Sequence, residues 1–302
     1  MKKKRTYDEV EIINSPSIKT GIKTLDLFLS NNGGFELGNL ILMTGTSGAG
    51  KTTLCKLIQR EIKYPTLFHA LESLASSVKR QTLRIETHSN CFITDEKDYQ
   101  DFDEFMKFIY EDKPKFVMVD SLQHAVKQLK SKGVGDADAH HHVLDSLYKW
   151  KDETQGIVIL ICQLNKDNTF SGPSGMLFDA DVQVHLDYNS KTGVRTMDTK
   201  KNRMGQLDSI YYEFSSGVEV MKFYTEEEWR AIKMGVTLPE MLIDTIFQYS
   251  KSYRNHDSYP VFKREFNKKI KVIYNSINDD IEICLSVTKL MSELTKKYFV
   301  TF

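Results

Sequence analysis

Gly45-Thr46-Ser47-Gly48-Ala49-Gly50-Lys51-Thr52 reads G-x-x-x-x-G-K-T, the P-loop pattern. It follows the apolar run Leu40–Met43 and leads through Thr53 into a helical pattern. A strand that ends in a glycine-rich turn and opens a helix aims successive backbone N–H groups, and the helix N-terminus, at one point. That arrangement binds phosphate. Residues 45–53 are therefore the candidate ATP cradle, with Lys51 reaching the outer phosphates and the Thr52 hydroxyl ligating Mg²⁺.

A phosphate cradle needs a carboxylate for its metal. Phe116-Val117-Met118-Val119-Asp120 is an apolar run closing on an acid, which places Asp120 at a strand end beside the P-loop as a second contact to Mg²⁺. Hydrolysis also needs a group to deprotonate water. The position after Asp120 is Ser121, so the base must come from elsewhere. Glu72 ends the run Thr66–Leu71 and is the candidate base, because all strand ends of a parallel sheet open on one crevice. Gln163, which ends Ile157–Cys162, is the candidate γ-phosphate sensor. Lys201 and Arg203 lie two apart on an extended segment, so both can point the same way. They are candidates for a basic finger inserted into a neighbouring subunit's site.

These residues need a scaffold, and the hydrophobic pattern supplies one. Apolar runs at 40–44, 66–71, 91–94, 116–119 and 157–162 alternate with helical patterns at 52–63, 76–85, 99–110 and 139–154. Alternation of this kind predicts an α/β fold with a mainly parallel sheet covered on both faces. Runs at 182–188, 194–199, 209–214 and 219–223 predict an antiparallel extension of that sheet. From Thr225 the pattern turns helical, at 225–234, 239–253, 260–276 and 280–298, and Thr225-Glu226-Glu227-Glu228 has capping-box spacing. Ile281, Leu285, Thr288, Met291 and Leu294 are expected to form one apolar face of the last helix. The expected division is a basic N-terminal arm at 1–17, the α/β domain at 18–224 and a small helical appendage at 225–302.

The 302 residues carry 41 Lys+Arg and 41 Asp+Glu, so any nucleic-acid contact must come from local patches rather than from net charge. Cys55, Cys91, Cys162 and Cys284 are widely separated, which argues against a disulfide or zinc framework and fits a reducing cytoplasm. No apolar run approaches the roughly 20 residues that span a bilayer, so no membrane association is expected. His140-His141-His142 cannot converge on one metal from a helix. Lys268, Lys269 and Lys271, near Phe262, Phe266 and Tyr274, read as the solvated side of an amphipathic helix.

The motifs together resemble the RecA-fold ATPases, in the branch of the DnaB-type hexameric helicases and the bacterial RadA (Sms) proteins, over roughly 18–223. Thr20-Gly21-Ile22-Lys23-Thr24-Leu25-Asp26 resembles the entry to RadA and KaiC-like domains, and Leu71-Glu72-Ser73 the segment with the catalytic glutamate. Gln163-Leu164-Asn165-Lys166 is similar to the helicase sensor segment. Lys201-Asn202-Arg203-Met204-Gly205 closely resembles the RadA K-N-R-F-G motif. The resemblance implies an ATP- and Mg²⁺-dependent homo-oligomer, a ring (a hexamer) or a filament, that works on single-stranded DNA in replication, recombination or repair. It also implies pore segments that hold the DNA, here about 127–138 and 166–175. The first of these reads as a flexible basic loop with Lys127, Lys130 and Lys132, and the second begins at Lys166. A KaiC-like ATP switch without DNA translocation is the alternative. The zinc finger and Lon-protease-like domain of typical RadA are absent, and the appendage, to which the resemblance does not extend, is left as a surface for a protein partner.

Overall fold

Four strands, Leu40–Gly45, Thr66–Ala70, Phe116–Asp120 and Ile157–Ile161, are buried almost throughout and lie side by side in one sheet. The computed structural model describes residues 17–99, 101–164, 179–215, 220–234, 242, 246, 258–277 and 280–299. After α1 (Lys23–Leu29) the elements run β1 (Leu40–Gly45), α2 (Lys51–Glu61), β2 (Thr66–Ala70), α3 (Ala75–Gln81), β3 (Cys91–Asp95), α4 (Phe102–Asp112), β4 (Phe116–Asp120), α5 (Leu122–Ser131), α6 (Asp136–Thr154) and β5 (Ile157–Ile161). Strands β6 (Val182–Tyr188), β7 (Arg195–Asn202), β8 (Ser209–Phe214) and β9 (Met221–Tyr224) follow. The nine strands lie in the order β3-β2-β4-β5-β1-β6-β7-β8-β9.

The two-residue strand period sorts the core into two layers. Ile41, Met43, Phe68, Phe116, Met118, Ile157 and Ile159 pack with α1 and α2 on one face. Leu40, Leu42, Leu67, Val117, Val119, Val158 and Leu160 pack with α4, α5 and α6 on the other. Each such side chain, fully buried, is worth about 1.5–3 kcal/mol relative to exposure. This two-sided burial is why the strands read as unbroken apolar runs. Helix α4 starts where Asp101 accepts hydrogen bonds from the N–H groups of Asp103 and Glu104.

Two expectations change in this region. Strand β6 pairs in parallel with β1, Ile41 facing Val182 and Gly45 facing Leu186; the antiparallel pairs begin only between β6 and β7. The segment expected as a flexible basic loop at 127–138 is helix α5 up to Ser131 and α6 from Asp136, with only 132–135 between them. Leu122, Ala125, Val126 and Leu129 recur at helix spacing and are all buried, and that apolar stripe outweighs the lysines between them.

The described chain divides after Phe223 into two units. The second contains α7 (Glu226–Met234), α8 (Tyr259–Ser276) and α9 (Asp280–Phe299). At the start of α7 the capping box is formed reciprocally: Glu228 Oε2 accepts from the Thr225 N–H at 2.7 Å, and Thr225 Oγ1 accepts from the Glu228 N–H at 3.2 Å. Phe262 and Phe266 of α8 pack with Ile283, Val287, Leu290 and Leu294 of α9. Of the expected face of α9, Leu294 is buried and Met291 packs beside it, but Leu285 is 67% exposed and the buried stripe runs through Ile283, Val287 and Leu290 instead. Both stripes have helical period, and the ring pair of α8 selects between them. The helical pattern at 239–253 lies almost wholly outside the described residues.

Candidate active site

Four parallel strands end at one edge of the sheet, and each contributes one part of the site. β1 ends at Gly45 and turns through residues 46–50 into α2. Gly48 and Gly50 have φ of 77° and 100°, the left-handed region that favours glycine. A Cβ at Gly50 would also lie 2.4 Å from the Phe214 ring, so no other residue fits there. The turn is held from below: Thr46 N–H donates to Leu186 O, Thr46 Oγ1 accepts from Tyr188 N–H at 3.0 Å, and Tyr212 OH donates to Ala49 O at 2.6 Å. Ser47 and Thr53 complete the turn and the first helical turn. Gly50, the N-cap of α2, makes no side-chain capping bond, which leaves the first amides of the helix directed into the turn.

Lys51 Nζ donates to Gly45 O at 2.7 Å and Thr46 O at 3.1 Å. Burial pulls its ammonium below the ordinary lysine range, against the opposing pull of the Asp120 and Glu72 carboxylates. Thr52 Oγ1 donates to Asp120 Oδ2 at 3.0 Å, across from the first turn of α2 to the end of β4. Burial raises the Asp120 carboxyl above the usual aspartate range; the Thr52 bond opposes that and the neighbouring Glu72 adds to it. A hydroxyl and a carboxylate in contact, beside an ammonium and uncapped helix amides, form a donor set that suits Mg²⁺ and the phosphates of ATP.

Glu72 follows β2. Leu71 and Glu72 donate their N–H groups to Asp120 O at 2.7 and 3.0 Å, which ties the Glu72 backbone to the end of β4. Gln163, just past β5, donates from Nε2 to Glu72 Oε2 at 3.0 Å. Gln163 is itself gripped by Gln123 of α5, whose Oε1 accepts from the Gln163 N–H at 2.9 Å and whose Nε2 donates to Gln163 O at 3.3 Å. Gln123 belongs to no motif, and an amide inside a helix gives no sequence signal.

A further group flanks the P-loop. The Arg195 guanidinium lies over the Tyr188 ring at 3.9 Å and the Phe214 ring at 4.7 Å. Its Nε is buried with no hydrogen-bond partner among the described residues.

The remaining candidates lie elsewhere. In the register of β1, β6 and β7, Lys201 faces Gln183, which faces Leu42, and Arg203 follows the end of β7. Arg203 N–H donates to Asp181 O, and Asp181 N–H to Leu40 O. Arg203 Nη1 also lies 3.1 Å from Asp181 Oδ1. Arg203 therefore sits level with the start of the six-residue β1 and the P-loop at its end, about 17 Å apart at ~3.3 Å per residue step. Lys127 and Lys130 lie on α5 and Lys132 caps it. Lys130 pairs with Asp136 at 2.5 Å, and Lys132 with Asp101 and Asp103. Lys166 is outside the described residues. His140 and His142 bond Asp136 O and Asp103 Oδ1, and among the described residues no cluster of His, Cys, Asp and Glu could hold a metal. No described helix is long and apolar enough to cross a membrane.

A family model described as "ATPase: KaiC" matches residues 18–97. The chain is 25% identical over 215 residues to the DNA repair protein RadA of Escherichia coli (strain K12), covering 69% of this chain and 45% of that protein. It is 28% identical over 200 residues to the DNA repair protein RadA of Mycolicibacterium smegmatis (strain ATCC 700084 / mc(2)155), covering 63% and 42%. The chain thus spans less than half the length of these curated relatives. The crystal structure of a KaiC-like protein from the hyperthermophilic archaeon Pyrococcus horikoshii OT3 superposes with a TM-score of 0.55 at 20% identity, covering 70% of this chain and 99% of that one. The fold is that of a RecA-like ATPase core, and the chain resembles RadA over about two thirds of its length.

Proposed function

We propose that the chain hydrolyses ATP with Mg²⁺, that a neighbouring copy completes its site, and that the assembly acts on single-stranded DNA in recombination, repair or replication. The single observation that carries the hydrolytic part is the Gln163–Glu72 hydrogen bond beside Lys51, Thr52 and Asp120. Lys51 and the first amides of α2 take the phosphates. Thr52 and Asp120 hold Mg²⁺, which when bound spreads the charge that develops on the phosphate oxygens. Glu72 takes a proton from the attacking water, and Gln163 aims it. The flat surface of Arg195, Tyr188 and Phe214 is suited to the nucleoside end of ATP.

Arg203 stands level with the start of β1, at the other end from its own P-loop, and Lys201, two strands away, is level with Leu42; neither adjoins that loop, which supports a role for both in an adjoining copy's site. The DNA part rests on the resemblance to RadA and on the lysines at 127–132 and 166. A second reading, a KaiC-like ATP switch, is favoured by one observation: Lys130 and Lys132 are already paired with carboxylates. ATPase assays with and without a single-stranded oligonucleotide separate the two. Stimulation by the oligonucleotide at low salt supports the motor. ATP turnover with neither stimulation nor DNA binding excludes it and leaves the switch.

A further inference from the structure

At the opposite end of the parallel strands from the P-loop, α2, α3 and the edge strand β3 enclose a pocket of about 340 Å³. Cys91, on its wall, opens β3 and is level with Thr66, the first residue of β2, whereas the candidate active site lies beyond Ala70 and Asp120 at the other ends. Lys56, Lys79, Thr87, Ile85 and Ile93 also line it. Most of these walls are ordinary for a small-molecule site, a mixture of apolar and polar groups. Lys56 is the exception, because its ammonium belongs to a residue only 6% exposed.

A lysine ammonium has three N–H donors and no acceptor. Of those three, one bond is accounted for, to Gln59 Oε1 at 2.8 Å. The face of the Phe68 ring, 4.4 Å away, takes part of the charge. Gln59 cannot turn to give more, since its Nε2 donates to Thr66 O, Thr66 Oγ1 and Phe92 O. Among the described residues the ionisable groups acting on Lys56 are the Cys55 and Cys91 thiols, and burial pulls its ammonium down to about 8. No carboxylate lines the pocket among the described residues, and Lys79 adds a second, exposed cation to the wall. A buried charge is retained where something pairs with it.

We propose that this pocket binds a small organic anion, its carboxylate or phosphate head on Lys56 and Lys79 and its apolar body against Ile85 and Ile93. The site is separate from the nucleotide cradle and does not depend on ATP binding.

The test uses the full chain, with phenyl phosphate and 3-phenylpropionate as anionic probes and benzyl alcohol as the neutral control. Cys91 is the local reporter, and its alkylation by iodoacetamide is followed by peptide mass spectrometry. Both anions at saturation are expected to slow Cys91 alkylation at least fivefold and leave Cys284 unchanged, while benzyl alcohol slows neither cysteine. Titration calorimetry is expected to give one site per chain, weakened at least tenfold by Lys56→Met. Protection by only one of the anions supports the site and identifies its head group. A phosphate probe that binds without protecting Cys91 is occupying the P-loop and counts against the proposal. Equal protection by benzyl alcohol, or no protection by either anion, overturns it on the unaltered protein, whether or not Lys56→Met folds. Unchanged affinity in a folded Lys56→Met protein overturns it as well.

Discussion

A carboxylate that takes a proton from water must be aimed, and Glu72 is aimed twice. Its N–H is tied to Asp120 O, and its Oε2 accepts from Gln163. Glu72→Gln keeps the shape and removes the base. Hydrolysis is expected to fall by about 10²–10⁴-fold with nucleotide affinity nearly unchanged, measured by steady-state turnover beside equilibrium binding of a fluorescent ATP analogue. Gln123 acts one step further out, as a positioning residue. Gln123→Ala should lower kcat by roughly tenfold, since small misplacements of a catalytic group are costly, and leave KM close to its starting value. An equal rise in KM would mean that Gln123 serves binding instead.

At the scale of elements, close approach between α6 and β5 is a sensitive point. Trp150 is fully buried and donates its indole N–H to Ile109 O at 3.1 Å. A Cβ at Gly156 would lie 2.2 Å from that ring. Gly156→Ala should therefore cost about 1–3 kcal/mol, the usual penalty for overpacking, read from urea unfolding. Between α8 and α9, Glu265 accepts from Tyr298 OH at 2.5 Å and pairs with Lys297 and Lys269. These partners, Tyr298 first, hold its carboxyl down at about 2 against an ordinary 4.5. A depressed acid stabilises the fold above its unfolded pKa and loses that contribution as pH falls through the folded one. The melting temperatures of the native protein and Glu265→Gln should differ at pH 7, and the gap should narrow between pH 4.5 and 2. A gap that does not change with pH would assign the effect to packing.

The strands were legible because two-sided burial writes itself as unbroken apolar runs such as Ile157–Ile161. Glu72, Asp120 and Gln163 were legible for the same reason, each standing where such a run stops. Helix α5 was hidden because Lys127, Lys130, Gly133 and Gly135 are loop-like in composition, while Leu122, Ala125, Val126 and Leu129 outweigh them through burial. Gln123 and the stacking of Arg195 on Tyr188 and Phe214 arise from tertiary approach, which no local spacing encodes.

For the whole molecule, a site shared between copies predicts complementation. Lys51→Ala alone and Arg203→Ala alone should each turn over ATP at a small fraction of the native rate. Mixed in equal amounts, they should regain activity at the interfaces that unite one intact P-loop with one intact finger. Arg203→Ala hydrolysing at the native rate would refute the shared site, as would a mixture that never recovers.

Arg203 and Gly45 mark opposite ends of the β1 register. A contact that brings one chain's Arg203 to another chain's Gly45 can be built in two ways. With a two-fold axis between those points the pair is made twice and a dimer closes; without it the contact is heterologous and repeats head to tail, closing by rotation or running on as a helix. In an array of the second kind every subunit faces the same way, and the assembly has a front and a back before it meets any partner.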